Sequence, residues 1–326
     1  MGVMRREGTG LALAAMLCAG CAASGEGNAA RDAESGNRAP TASKPVASVP
    51  IARPVRTDFL LQGDMRQGGL VRGLAPSDTV TLLLNGSEIP LAADGRFLIG
   101  FDRDAPPTAN LVAKRAKGAD IVRPLGVAAG DWRIEHINAR ATGSAKTSAE
   151  FERRRASELA QMGAARATVV HSEGWRQNFI WPVKGRLSGY FGSQRVYRGE
   201  PGNYHNGNDI AVPTGTPFVA PADGVVILAA DTPFTLEGLI LMIDHGNGLS
   251  SVFLHNSRLD VKTGDVVRQG QQLGAVGATG RATGPHMHWA MRWRGAKIDS
   301  KLLADAGERA QAALAPAPGT GPAQGN

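Results

Sequence analysis

Cysteine is almost missing from the sequence: the 326 residues hold two, Cys18 and Cys21, both within the first 21. The body of the chain therefore has no disulfide available to it and no cysteine partners for a structural zinc site. Aromatic residues are scarce at 5%, and no basic helix interleaved with aromatics occurs. That argues against nucleic acid as a partner, although the net charge of +7 calls for an anionic neighbour. An acidic wall polymer or a membrane surface fits that charge. Long apolar runs are lacking too, since the stretch from Leu11 to Ala19 is too short to span a bilayer. Histidine is rare, with seven in all, so where the histidines fall is informative.

Glycine and proline are plentiful, at 42 and 19 residues, which points to many turns and short strands. The expected fold class is mainly β. Residues 1–21, "MGVMRREGTGLALAAMLCAGC", have Arg5 and Arg6 ahead of a short apolar core and then small residues, the pattern of a secretory signal. "CAGC" read alone is a CxxC of zinc or redox type. Beside an export core it instead resembles a bacterial lipobox, with Cys18 where leucine is usual, which leaves ordinary signal-peptidase cleavage open. Lipidation of Cys21 would anchor the chain to a membrane. Ala22 in place of Asp favours the outer membrane by the same resemblance, so the expected location is exported and periplasmic.

Residues 22–58 read as a disordered tether, rich in Ala, Ser, Gly and Pro. Residues 59–130 alternate short apolar runs with turn pairs, Asn85-Gly86 and Asp94-Gly95, and are expected to form a small β-sandwich acting as a spacer or binding module. Residues 131–178 form a partly helical connector, where Thr147 and Glu150 stand in capping-box spacing before "FERRRASELAQM". Arg153, Arg154 and Arg155 there suit a wall-binding patch or, more commonly, a solvated helix face. Residues 304–326 read as a disordered tail.

The chemistry gathers in residues 179–303, a succession of short Val, Ile, Leu and Phe runs bounded by Gly, Asp, Asn or Pro, an all-β pattern. In "TGPHMHWAMRW" the period of a strand sends His286, His288, Ala290 and Arg292 to one face, and Met287, Trp289, Met291 and Trp293 to the other. The second set makes a core face and the first presents two imidazoles. His205 and Asp209 also share a face if extended, and Asn206-Gly207 between them disfavours a helix. Two imidazoles and a carboxylate make a three-ligand zinc site with a fourth position left for water, the catalytic kind. The segment offers four suitable histidines, His205, His255, His286 and His288, so some remain for acid–base work.

Residues 179–303 resemble the zinc metallopeptidases of the lysostaphin and LytM type, the M23 peptidases. "HNGND" stands for their HxxxD motif, "HMH" within "GATGRATGPHMHW" for their HxH, and "SSVFLHNS" for the segment with a further histidine; "RLSGYFGSQR" and "VKTGDVVRQGQQLGAVG" match flanking patterns. The resemblance implies an antiparallel β-sheet of barrel-sandwich type, one Zn2+ held by His205, Asp209 and His288, and His255 with His286 as the catalytic pair. It implies a peptidoglycan endopeptidase. The other reading is a noncatalytic LytM-like factor that binds peptidoglycan or activates a wall amidase, with a divisome or amidase partner. Such factors usually lack a metal or catalytic residue, and here all five positions are filled.

Asn208, Phe253, Asn256 and Met287 depart from the family's usual aliphatic residue, Tyr, Leu and Leu. Of these Asn208 adjoins a ligand, where it could alter hydrogen bonding around the metal. His245 reads as structural, and His136 and His171 lie in the connector without partners. Tyr204 and Arg195 suit either the groove lining or the surface. "VKTGDVVRQGQQLG" also resembles a biotinyl or lipoyl hairpin but has no modifiable lysine at its turn. Residues 131–204 could cover the groove and supply a displaceable ligand.

Overall fold

The computed structural model describes residues 55–139 and 148–314. The signal segment, Cys21, nearly all of the tether, Thr147 and everything from residue 315 lie outside the described residues. The fold is mainly β.

Two small antiparallel sheets come first. One contains Leu60–Gly63, Leu70–Leu74 and Arg96–Gly100, and the other Ser87–Ile89, Thr79–Leu84, Thr108–Arg115 and Ile121–Gly126. Val71, Leu82, Phe97, Leu98, Ile99 and Leu111 are fully buried in this part. Asn85 and Gly86, both at positive φ (49° and 81°), close a two-residue turn between Leu84 and Ser87. At Asp94-Gly95 only Gly95 has positive φ, and the turn is wider, closed by the Ala92 N–H bonding the Arg96 carbonyl.

The main sheet has Met287–Trp293 near its centre, flanked by Leu249–Asn256 and Asn208–Ala211, with Leu239–Gly246, Gly224–Ala229 and Val266–Val267 beyond one side and Arg186–Gly189 at the other edge. Its pairings are antiparallel. Met287, Trp289, Met291 and Trp293 enter the main core beside Phe253, Leu241 and Ile210, as the period of two requires. His288 and Ala290 face the other way, and on that face the connector helix Ala149–Ala167 lays Met162 and Ala165 against Ile227, Ile240, Met242, Val252 and Ala290. The helix is thus packed on the face that carries the histidines. Ser148 caps it: the Ser148 hydroxyl accepts the Phe151 N–H at 3.1 Å. Upstream, Ile134–Ile137 pairs in parallel with Gln194–Tyr197 and so adds a strand from the connector to a hairpin just before His205.

The expected tail from residue 304 needs correction. A helix runs through Ser300–Leu314, started by Asp299, whose carboxylate accepts the Lys301 N–H at 3.0 Å. Leu303 and Ala304 are buried, and Gly307 lies so close to the Phe179 carbonyl that a Cβ would stand 1.9 Å from its oxygen. The Pro- and Gly-rich composition that suggested a tail begins only after Leu314.

His245 sits fully buried in Leu239–Gly246, donating from Nδ1 to the Asp223 carbonyl at 2.8 Å, with Nε2 2.8 Å from the Ser251 hydroxyl. Burial lowers its pKa to about 4. Below the unfolded value of about 6.5 the unfolded chain takes up a proton that the folded chain resists. Stability from this residue is therefore complete above pH 6.5 and falls by about 3 kcal/mol on the way to pH 4. Urea midpoints at pH 7 and pH 4.5 should show a smaller acid-induced drop for His245→Gln than for the parent; equal drops would refute the account.

Candidate active site

Asp209 and His288 are cross-strand partners: the register pairs Asn208 with Trp289, Asp209 with His288 and Ile210 with Met287. His205 comes from the loop just before, its backbone held by bonds from the His205 N–H to the Ser193 carbonyl and from the Gly192 N–H to the His205 carbonyl, both 2.8 Å. The three ligand-type atoms form a tight triangle. His205 Nε2 lies 3.1 Å from Asp209 Oδ1 and 3.1 Å from His288 Nδ1, and His288 Nδ1 lies 2.8 Å from Asp209 Oδ1. Among the described residues this is the group that could hold a metal ion.

Hydrogen bonds on the far sides of the rings fix which nitrogens face inward. His205 Nδ1–H donates to the Tyr190 carbonyl at 3.1 Å and His288 Nε2–H to the Asn206 side-chain oxygen at 3.1 Å. Each neutral ring therefore turns a lone pair toward the Asp209 carboxylate. Three lone pairs so close repel unless they share a cation, and ligands about 2.0–2.1 Å from a tetrahedral Zn2+ would stand about 3.3 Å apart. The donor set fits zinc in type, number and spacing.

Two further imidazoles stand beside the triangle. His286 donates from Nδ1 to the Gly284 carbonyl at 2.8 Å, and its Nε2 lies 3.7 Å from Asp209 Oδ1. His255 donates from Nδ1 to the Thr279 carbonyl at 2.8 Å, and its ring centroid lies 5.0 Å from that of His286 and 6.3 Å from that of His288. Both keep a free Nε2. His255 reaches this face by an irregularity: the register between Leu239–Gly246 and Leu249–Asn256 shifts between Leu239 and Leu241, and His255 has φ 63°. Strict alternation would send His255 inward with Phe253; the bulge turns it outward. Asn256, fully buried, helps hold the bulge by donating to the carbonyls of Leu239 and Phe253.

Electrostatics follow from burial and these contacts. Burial pushes the Asp209 carboxyl up, but once the facing nitrogens of His205 and His288 are protonated their hydrogen bonds and charge outweigh it and hold the group well below the usual carboxylate range. For His205, burial is likewise overcome by Asp209, and its pKa rises. Burial dominates at His288 and lowers it despite Asp209. At His255 burial lowers the pKa against the Thr279 bond, and the charges of His286 and His288 add to the lowering. Neutral, His255 can accept a proton.

The five histidine and aspartate positions singled out from the sequence are thus brought to one place. Asn208 is not part of it: buried, it accepts the Phe191 N–H and donates to Asp299 and Ser300, tying its strand to the C-terminal helix on the side away from Asp209. Tyr204 and Arg195 line the groove, and His136 and His171 lie exposed in the connector. The groove has two adjoining parts of about 790 and 350 Å3 that share His205, Asn206, Asp209 and Arg281. One wall of the larger part comes from Arg133, Ile134 and Glu135 of the connector strand. These residues flank the site, and no fourth His, Cys, Asp or Glu joins the metal group among the described residues.

Sequence reasoning missed the supports. The small β-domain proves more than a spacer: Arg103, buried, donates to the Gly192 carbonyl and the Gln194 side chain, bracing the turn that holds His205. Tyr204 donates its hydroxyl to Asp102 of the same domain at 3.1 Å. Gly189 and Gly207 are placed where side chains cannot go. A Cβ on Gly189 would stand 2.2 Å from Asp209 Oδ2, and one on Gly207 would stand 2.8 Å from His288 Nε2. Gly189→Ala should therefore rotate the carboxylate and weaken zinc binding about 10- to 100-fold, the scale of a disturbed support around a metal site. Chelator competition would measure it, and unchanged affinity would mean that Asp209 does not bind metal in this orientation.

Comparison with known proteins agrees with this geometry. Peptidase family M23 matches residues 203–300. The peptidoglycan DD-endopeptidase ShyA of Vibrio cholerae is 39% identical over 126 residues, 37% of this chain and 28% of that protein. The cell division protein DipM of Caulobacter vibrioides is 36% identical over 115 residues, 35% of this chain and 18% of that one. The matches thus span less than a third of the length of these curated relatives. A solved structure described as a putative peptidase M23 from Pseudomonas aeruginosa covers 74% of this chain and 96% of its own, at 29% identity and a TM-score of 0.57. Its likeness therefore runs beyond the region that carries the metal group, and it is residues 203–300 of the chain that match peptidase family M23.

Proposed function

We propose that the chain is a zinc-dependent endopeptidase that hydrolyses peptide bonds in peptidoglycan stem peptides or cross-bridges. The observation that carries this reading is the juxtaposition of a three-donor metal group with two imidazoles whose Nε2 atoms are free, lining a groove of two adjoining parts. His205, Asp209 and His288 would hold Zn2+, which supplies Lewis acidity toward a carbonyl and lowers the pKa of a water. His255 and His286 share the proton transfers: one ring takes a proton from the attacking water at Nε2, the Nε2–H so formed can steady the developing oxyanion, and that proton passes to the departing amine. Anchoring of each Nδ1–H on a backbone carbonyl leaves Nε2 as the working atom in both rings.

The substrate class is supported by the DD-endopeptidase activity named for the Vibrio relative and by the groove. Arg281 lines both parts of it and makes no ion pair among the described residues, which suits a peptide bearing free carboxylates. The same reading has the chain exported and anchored in the outer membrane through a lipid on Cys21, with the residues before the β-domain as a reach toward the wall.

The test is digestion of purified cross-linked peptidoglycan by the chain lacking residues 1–21, with zinc. Conversion of cross-linked dimers to monomers supports the proposal. Silence in that assay, together with stimulation of a wall amidase, would replace it with the activator reading.

A further inference from the structure

The catalytic face of the sheet holds a group that the peptidase chemistry leaves unused. The connector helix turns Arg155, Glu158, Met162 and Ala165 along one side, a spacing of three, four and three residues. Met162 and Ala165 supply apolar contact, but Arg155 and Glu158 do something more specific. Arg155 makes a bidentate ion pair with Glu237, through Nη1 to Oε2 and through Nη2 to Oε1 at 2.8 Å, and also reaches Glu158 at 3.3 Å. Glu158 accepts both the Thr235 N–H at 2.7 Å and the Thr235 hydroxyl at 2.6 Å. Arg154 adds a bond to the Pro233 carbonyl at 3.3 Å. Three helix residues, Arg154, Arg155 and Glu158, therefore pin residues 233–237 to the helix. Arg155 is not on a solvated face, one of the two readings its sequence allowed: its side chain is 17% exposed, and Glu158 is 7% exposed.

The pinned loop is the anchor of His255. The His255 N–H donates to the Glu237 carbonyl at 2.9 Å. A non-glycine residue at positive φ is strained, so the conformation persists only where its surroundings enforce it. Gly238, next to Glu237, packs on Thr279, the residue whose carbonyl receives the His255 ring. Glu237 and Leu236 also line the smaller part of the groove together with His255.

We propose that Arg155 and Glu158 are positioning residues for the peptidase: the connector helix clamps the 233–237 loop, and the loop's Glu237 carbonyl holds His255 in the turned-out conformation that aims its imidazole at the metal group. The proposal rests on the endopeptidase reading for its catalytic consequence and on geometry alone for the rest. It also gives the connector a supporting role at the site.

The experiment uses the full chain without residues 1–21, loaded with zinc, as parent, Arg155→Ala and Arg155→Lys. Amide hydrogen exchange over residues 253–257, read without substrate, should speed up in Arg155→Ala, with part of the protection returning in Arg155→Lys. Zinc content should stay at the parent's level, because no ligand is touched. On cross-linked muropeptides kcat should fall about 10- to 100-fold with KM little changed, the scale expected for a displaced catalytic group. Unchanged exchange at 253–257 in Arg155→Ala, with the helix amides themselves exchanging faster, would overturn the proposal. A KM effect without a kcat effect would also overturn it. If Arg155→Ala fails to fold, Thr235→Val removes one bond of the clamp and is read the same way. An inactive parent would end the endopeptidase reading, while the exchange result would still decide the clamp.

Discussion

The His255→Ala protein is expected to lose peptidoglycan cleavage by about 10^2- to 10^4-fold, the usual worth of a positioned acid–base group, while binding zinc as the parent does. The two halves of that result come from different parts of the geometry. His255 stands on a neighbouring strand to the ligands, its ring 6.3 Å from that of His288, and it belongs to no three-donor group. Its Nδ1–H is spent on the Thr279 carbonyl, so only Nε2 is left for chemistry. Alanine at φ 63° carries the same sort of backbone strain as histidine, which keeps the bulge from becoming the variable under test. Rates from muropeptide mass spectrometry and metal content from elemental analysis separate the outcomes. Loss of zinc would make His255 a ligand, and activity within tenfold of the parent would remove it from the proton transfers.

The sequence discloses the site unevenly, and the reason is physical. His286 and His288 could be placed on one face because a strand alternates, and the buried Met287, Trp289, Met291 and Trp293 on the opposite face conform. The orientation of His255 could not be read that way, since alternation after Phe253 points it into the core. It depends on an extra residue in the ladder and on positive φ, which "VFLHN" does not announce. The hold on that residue is still less visible, because Arg155 and Glu237 are 82 positions apart and meet only when the helix lies on the sheet. Gly189 and Gly207 look like ordinary turn glycines until their missing Cβ atoms are seen to make room for Asp209 and His288. At the C-terminus, composition misled: an Ala-rich segment grouped with a Pro- and Gly-rich end forms a helix because Asp299 starts it and Gly307 lets it lie on Phe179.

Replacing Asp209 with asparagine should abolish metal retention and cleavage together, the opposite split from His255→Ala. Asn keeps the shape beside Gly189 but removes the one negative charge in the triangle, leaving two imidazole lone pairs to attract a dication without a counter-charge. The affinity loss should exceed the roughly 10- to 100-fold that a lost supporting hydrogen bond costs a metal site. Thermal unfolding gives a readout free of any substrate. A ligand that binds the folded chain at 1,000 times its dissociation constant stabilises it by about 4 kcal/mol, and each kcal/mol moves the midpoint of a chain this size by about 2–4 °C. Zinc should therefore raise the parent's melting temperature by roughly 10 °C and that of Asp209→Asn by far less. His245→Gln, altered in the core and away from the metal group, should keep the parent's zinc response. If Asp209→Asn melts with the same zinc-induced rise as the parent, the metal is held elsewhere, and the triangle of His205, Asp209 and His288 loses its claim to be the centre of the reaction.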